Sequence, residues 1–500
     1  MELIQETYRD QISFMLSCYD RLILTGTLPG LSYSQGMTSY LKNRNVRIFD
    51  YPRFAEPYRD IIRENAEFIA KQNDITIEFI RKSNVRKESI ISKIIEQRGE
   101  HPGIVHIISA MELCDTYKPW HDKSTGKTYL KPSQSKCLHY YFYFIDEYLG
   151  MGYVRVPTWC PFRLQVYING HNVLASELKE AGVSFTKIDN AFTFISDPVK
   201  AQAIADGLSV EKIHRRLEHL TWLFCPVYKE FGVRYHWSIT QAEYSTDIVF
   251  KKQNYLQSIY KEWIKTAIHT VTPENIATFL GRKLDVRYQG DVGNNYNVRI
   301  EGSRIKHSMG KSSIKMYDKF GQILRIETTT NDVTFFKHYR EVVHRDGNKS
   351  YKNASLKKNI YSLVFLMDNL KSSNRRYLEF ISAFDNKAIG RKRMEKVTES
   401  KQENNRNYKG FNFFSKSDIS LLLTIARGEF NIGGFRNKNL QKLLNLTSGQ
   451  ISRLLKRLKI HGLIKKATNS YKYYLTTMGK HTIIMAQKMK EMVIIPTYCY

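Results

Sequence analysis

Residues 315–327 gather the side chains with the most evident chemistry: Lys315, Tyr317, Lys319, Arg325 and Glu327. Ile314 and Met316 alternate with Lys315 and Tyr317, the period-two pattern of a strand with one dry face. Asp318-Lys319-Phe320-Gly321-Gln322 supplies a glycine-containing turn, and Ile323-Leu324-Arg325-Ile326-Glu327 runs back, so a β-hairpin is expected. Regular pairing puts Met316, Leu324 and Ile326 against a core. Lys315, Tyr317, Arg325 and Glu327 then share the other face. Phosphate would explain such a face, because cations and hydroxyls meet phosphate oxygens well. Plain solvent would explain it too.

The elements that must carry this hairpin belong to a chain of 500 residues, long enough for two to four domains. Hydrophobic residues make up 42 %, enough for real cores. Lys and Arg number 77 against 48 Asp and Glu, a formal charge of +29 that attracts polyanions. Nucleic acid therefore heads the partners, with an anionic membrane surface as the rival. Met1-Glu2-Leu3-Ile4-Gln5-Glu6 lacks the basic and apolar regions of a signal peptide, and no run approaches 18 apolar residues. A cytoplasmic protein with no membrane partner is expected. Six cysteines are too sparse for a disulfide framework. Cys114, His121, Cys137 and His139 could on paper hold zinc. Cys137-Leu138-His139 is too tight for the usual chelating loop, and ordinary core cysteines are the preferred reading.

Along the chain, strands and helices alternate over the first hundred residues, from "DRLILTGTL" to "GIVHIISAM". The expected fold is a multidomain α+β protein with mixed α/β N-terminal and central domains. The expected divisions are an N-terminal domain (1–115), a strand-rich domain (116–232), a central domain carrying the basic hairpin (233–384), a charged linker (385–415) and a C-terminal module (416–495). Residues 115–136 read as a long surface loop or hairpin, and "SFTKIDNAFTFIS" as a strand. The series Tyr140, Tyr141, Phe142, Tyr143, Phe144 could stack bases, although a strand buried on both sides explains it more simply.

The C-terminal module reads as helix, helix, helix, β-hairpin, helix. Thr447-Ser448-Gly449-Gln450 forms a capping box. Ile451, Leu454, Leu455 and Leu458 share one face of the third helix, while Ser448, Gln450, Ser452, Arg453, Lys456 and Arg457 occupy the other. Gly462 ends the helix, and "LIKKATNSYKYYLTTMGK" gives two short strands around Asn469-Ser470. The stretches "LQKLLNLTSGQISRLLKRLKIHGLIKK" and "YKYYLTTMGK" resemble winged-helix DNA-binding domains of marR-like regulators. The resemblance implies that the polar start of the third helix meets base edges. The wing, with Lys465, Lys466 and Lys472, would meet phosphate. A solvated basic face, or a winged helix used for protein contacts, is the plainer alternative.

The segment "KMYDK" followed by "RIE", with "SMGKSS" before it, resembles rolling-circle replication initiators of plasmid and filamentous-phage type, over residues 235–332. That resemblance implies a Tyr317 nucleophile, with Lys319 and Arg325 clamping phosphate. It also implies Mg²⁺ or Mn²⁺ held by Glu327 with Glu243 or Asp247. A tyrosine hydroxyl needs such activation at its ordinary pKa near 10. The paired His-hydrophobe-His of many initiators is absent here, so carboxylates must do that work or the site does not exist. A third pattern competes: residues 141–190 resemble the start of an RNase H-like fold, with Asp146 and Asp189 closing strands and Glu243, Asp247 or Glu327 as the third acid. The whole chain also resembles bacterial proteins of unassigned activity that end in a winged helix.

The expectation is thus a nucleic-acid-binding protein, DNA favoured over RNA, of mobile-element or initiator type, cutting or transferring a DNA strand. The alternative is a regulator without catalysis whose large domain is a recognition platform.

Overall fold

A computed structural model describes residues 3–82, 84–284, 288–299, 302–344, 346–385, 396–467 and 470–488. The protein is mixed α/β, 41 % helical and 34 % strand, so neither class dominates. In chain order the first strands are β1 (Ile12–Thr27), β2 (Glu78–Ile80), β3 (Gly103–Asp122), β4 (Lys127–Asp146), β5 (Gly150–Pro157) and β6 (Leu164–Asn169). β7 (Phe185–Ile188) and β8 (Ala191–Ile195) make a short hairpin before β9 (His236–Phe250). β10 (Val292–Arg299), β11 (Gly302–Met309), β12 (Ser312–Lys319) and β13 (Ile323–Thr330) follow as a meander. Then come hairpins β14 (Lys337–Val343) with β15 (Lys349–Ser355), β16 (Lys401–Glu403) with β17 (Arg406–Tyr408), and β18 (Ile464–Lys466) with β19 (Tyr473–Leu475).

The chain divides into two compact units, each discontinuous in sequence. One contains residues 17–244 and 330–367. Its strands run in the order β9, β1, β6, β5, β4, β3, β2, with β9 contributing residues 236–244. Pairing is antiparallel from β1 through β3, and only the short β2 joins β3 in parallel. Tyr140 to Phe144 are all buried, as a strand covered on both sides requires. The expected boundary after residue 115 falls in the middle of β3. The polar stretch 115–136 continues the β3–β4 ladder, and its outer half is held from residues 31–38. Tyr117 donates to the Leu31 carbonyl at 2.8 Å, and the Leu130 amide donates to Thr38 Oγ1 at 3.0 Å. "SFTKIDNAFTFIS" is two strands rather than one. Asp189, at φ 51°, turns the chain between β7 and β8, a left-handed conformation that Asp tolerates better than most residues.

The other unit contains residues 1–16, 245–329 and 368–500. Its sheet order is β10, β11, β12, β13, β9, with β9 contributing residues 245–250. Ile305, Ile314, Met316, Leu324 and Ile326 are fully buried on one face, where the pattern expects them. Helices cover that face. Tyr377, in helix Leu363–Asp385, packs edge-on against Phe279 and reaches His307 on β11 at 3.0 Å. Asn374, in the same helix, donates to the Ile326 carbonyl and accepts from Thr328.

In the same unit, helices Lys416–Ile425, Gly428–Gly433, Asn437–Leu444 and Ser448–Ile460 surround one core with β18, β19 and helix Thr477–Lys488. The capping box at Thr447 and Gln450 forms as its spacing predicts, and Gly462 takes a φ of 73° just past the helix. Part of the expected linker is structured. Val397, Phe411 and Phe413 join that core, and each such burial contributes about 1.5–3 kcal/mol. Residues 386–395 lie outside the described residues, as does Asn469, where a turn between the last two strands is expected. Among the described residues no helix is long and apolar enough to cross a membrane.

Candidate nucleic-acid interface

Because strand side chains alternate, Lys315 and Tyr317 point to the same side of β12 and reach one residue on β13. Tyr317 Oη donates to Glu327 Oε2 at 2.7 Å, and Lys315 Nζ donates to Glu327 Oε1 at 2.5 Å. Thr329 Oγ1 lies 3.3 Å from the same Oε1. Glu327 is buried, whereas Lys315 and Tyr317 are half-buried at its rim. The register carries this face outward: Lys306 stands opposite Lys315 and Arg304 opposite Tyr317, both half-buried, and Asn295 and Asn297 follow on β10. Lys319, two residues beyond Tyr317, is half-buried with its ammonium 4.9 Å from the Phe320 ring. Burial pushes the neighbouring Asp318 carboxyl up to about 6.

Arg325 has a different occupation. Its Nε and one terminal nitrogen hold the two oxygens of Asp247, each at 2.6 Å, with both side chains buried. This planar, two-pronged geometry is how a guanidinium neutralises a carboxylate away from water. The sequence placed Arg325 on phosphate and Asp247 on a metal; the fold gives them to each other. Of the residues expected to hold Mg²⁺ or Mn²⁺, Asp247 is therefore committed to Arg325. Both oxygens of Asp247 are taken by a cation, and both oxygens of Glu327 accept from Lys315 and Tyr317. Glu243 belongs to the other unit, where it lies 3.3 Å from Gln241 and 3.9 Å from Arg21.

The remaining candidates sit in the unit of residues 17–244. Asp146 Oδ1 accepts the backbone amides of Tyr148 and Leu149, both at 2.9 Å, which is the work of a turn-forming aspartate. Asp189 occupies the β7–β8 turn, off the strands that carry Asp146, so the strand order expected of an RNase H-like pair is not met. Cys114, Cys137 and His139 share one face of β3 and β4. His139 Nδ1, however, faces the Cys137 carbonyl at 3.1 Å and Nε2 meets the Arg155 guanidinium at 3.1 Å. Burial and Arg155 push its imidazole down to about 4. A guanidinium beside the ring nitrogen opposes a second cation. His121 lies further out on β3, bonded to Thr128. A buried acid that the sequence did not single out is Asp20, whose oxygens accept from Asn169 and Asn190, both at 2.6 Å. Its partners are 149 and 170 residues away, so no local pattern reveals it.

In the C-terminal module, Ile451, Leu455 and Leu458 of helix Ser448–Ile460 are buried and Leu454 partly so. Ser448, Gln450, Ser452, Arg453 and Lys456 are exposed on the other face, and Lys465 and Lys466 are exposed on β18. Lys472 is half-buried. Ser448 and Ser452 also bind Asn437, which ties the helix start to the preceding helix. Arg457 again differs from its expectation. It holds Asp418 with two nitrogens at 2.8 and 2.9 Å, donates to the Lys409 and Gly410 carbonyls, and lies over the Phe411 ring. It is a structural clamp. The sequence of this module carries one further signal: residues 430–490 contain thirteen Lys and Arg and no Asp or Glu. No acid inside the segment offsets this charge; from outside it, Asp418 pairs with Arg457 and Glu403 lies 3.9 Å from Lys456.

No family model matches the chain, and no curated protein and no solved structure matches it either.

Proposed function

We propose that this protein binds nucleic acid, DNA in preference to RNA, and that its C-terminal module does so as a winged helix. The observation that carries this reading is the acid-free tract 430–490 combined with the exposure of its cations. Helix Ser448–Ile460 presents Ser448, Gln450, Ser452 and Arg453 at its N-terminal half, where a recognition helix meets base edges. Lys465 and Lys466 sit on a short hairpin that, in this reading, meets phosphate as the wing. Arg304, Lys306 and Lys319, half-buried on the β10–β13 sheet, add further cations to this reading. Gel retardation of a 30-base-pair duplex in dilute buffer tests this. Retardation that weakens steeply with salt supports it, and a free duplex at micromolar protein rejects it.

A second reading is favoured by one contact, the hydrogen bond from Tyr317 to Glu327. A carboxylate that accepts the phenol proton can serve as general base, leaving the phenolate oxygen to attack a phosphodiester; the P–O bond to one sugar breaks and its oxygen leaves with the proton returned from Glu327, while Lys315 and Lys319 stabilise the charge that develops. The chain would then nick or transfer a DNA strand. Incubation with supercoiled plasmid, with and without Mg²⁺ or Mn²⁺, separates the two readings. A nick with a protein–DNA adduct that Tyr317→Phe abolishes establishes catalysis, and intact plasmid leaves a binding protein.

A further inference from the structure

We infer that hairpin β14–β15 is a stacking platform for single-stranded nucleic acid; this rests on the nucleic-acid reading above and assigns it a second contact surface. Among the described residues the hairpin pairs with no further strand. Its register sets Tyr339 opposite Asn353, Glu341 opposite Tyr351 and Val343 opposite Lys349, so Tyr339, Val343 and Tyr351 share one side. These are large apolar side chains left in water: Tyr339 is 64 % exposed, Tyr351 65 % and Val343 62 %. The two rings lie 6.1 Å apart at 33°. A single exposed aromatic needs no explanation, but a grouped set on an otherwise bare ribbon does.

The opposite side of the ribbon is anchored. His338 stacks on Phe365 at 3.8 Å, and the Leu356 amide donates to the Phe336 carbonyl at 2.9 Å. The tip is fixed as well, since the His344 amide donates to the Asn348 carbonyl and Asp346 caps the Asn348 amide. The tyrosine side is therefore presented by a ribbon anchored at its base and closed by a hydrogen-bonded turn.

Charge identifies the occupant. Residues 337–358 contain seven Lys and Arg against Glu341 and Asp346. Lys349 pairs with Glu341 at 3.1 Å and Asp346 serves the turn, so the acids are used within the hairpin. Exposed rings on a ribbon with surplus positive charge suit bases stacked on tyrosine with phosphates drawn to lysine. A duplex hides its base faces within its own stack, whereas a single strand offers them.

The test uses the full chain, fluorescein-labelled (dT)20 and a 20-base-pair duplex. Tyr339→Ala/Tyr351→Ala is expected to weaken (dT)20 binding about tenfold or more and leave duplex affinity unchanged, while Tyr339→Phe/Tyr351→Phe keeps wild-type affinity for both. Photocrosslinking of a 5-iododeoxyuridine 20-mer is expected to place the adduct on Tyr339 or Tyr351. Unchanged (dT)20 affinity in the alanine variant, or adducts only elsewhere, overturns the platform while leaving duplex recognition intact. Failure of the wild-type chain to bind either probe overturns the nucleic-acid reading and the platform with it.

Discussion

Arg325 grips both oxygens of Asp247 at 2.6 Å, with the arginine side chain wholly buried and the aspartate 3 % exposed. A pair of this kind stabilises less than its distances suggest, because both charges leave water, yet removing one partner strands the other. Arg325→Met or Asp247→Asn alone is expected to cost about 3–5 kcal/mol, and Arg325→Met/Asp247→Leu together less than either. Urea titration followed by tryptophan fluorescence reads this. Single variants within about 1 kcal/mol of wild type would remove the pair from the core of the β9–β13 sheet.

Tyr317 shares Glu327 with Lys315, so its hydroxyl supplies one of several donors to a buried carboxylate. Tyr317→Phe is expected to cost about 1–2 kcal/mol of stability, in the range of a hydrogen bond to a charged group at a half-exposed site. If the residue only supports the sheet, duplex retardation by the variant matches wild type. Loss of a covalent DNA adduct, with retardation intact, would instead identify a nucleophile.

His307 supplies a pH dependence with a definite sign. Its Nδ1 lies 2.6 Å from Asn294 Oδ1 and its Nε2 3.0 Å from the Tyr377 hydroxyl, an arrangement that suits a neutral ring donating to one and accepting from the other. Burial pushes the imidazole down to about 3 from 6.5. Above pH 7 both folded and unfolded chains carry it neutral, and it has no effect. As the pH falls below about 6.5 the unfolded chain takes up the proton first, so stability is lost at about 1.4 kcal/mol per pH unit until the folded chain also titrates. The difference in stability between pH 7 and pH 5 should be smaller in His307→Gln than in wild type. Equal differences would mean that the ring is not held neutral.

The side-chain parity of the basic hairpin was legible in the sequence, since alternation is a local property. Ile314, Met316, Leu324 and Ile326 face the core, and Lys315, Tyr317 and Glu327 meet on the other side. What that polar face does was not legible. Asp247 lies 78 residues from Arg325, and only the pairing of β13 with β9 brings them together. The same limit hid the partner of Arg457, which looks like one more cation on a basic helix until Asp418, 39 residues earlier, folds against it. The division into two units was hidden for a related reason. Both units are assembled from separated segments, and composition along the chain cannot mark a division that runs through β1 and β9. Capping at Thr447 and the turn at Gly462 depend on neighbours within a few residues and are legible in the sequence.

The central claim, that exposed cations of the 430–490 tract contact the phosphates of DNA, is tested most directly by the salt dependence of duplex affinity. Fluorescence anisotropy of a labelled 30-base-pair duplex between 50 and 200 mM salt would compare the wild-type chain with Arg453→Gln/Lys465→Gln/Lys466→Gln. Each lost phosphate contact should reduce the slope of log affinity against log salt by about 0.9, so the triple variant, which removes two phosphate contacts and one base contact, is predicted to lose roughly 2 from the slope and to bind more weakly at 50 mM. A variant with the wild-type slope and the wild-type affinity would contradict the claim.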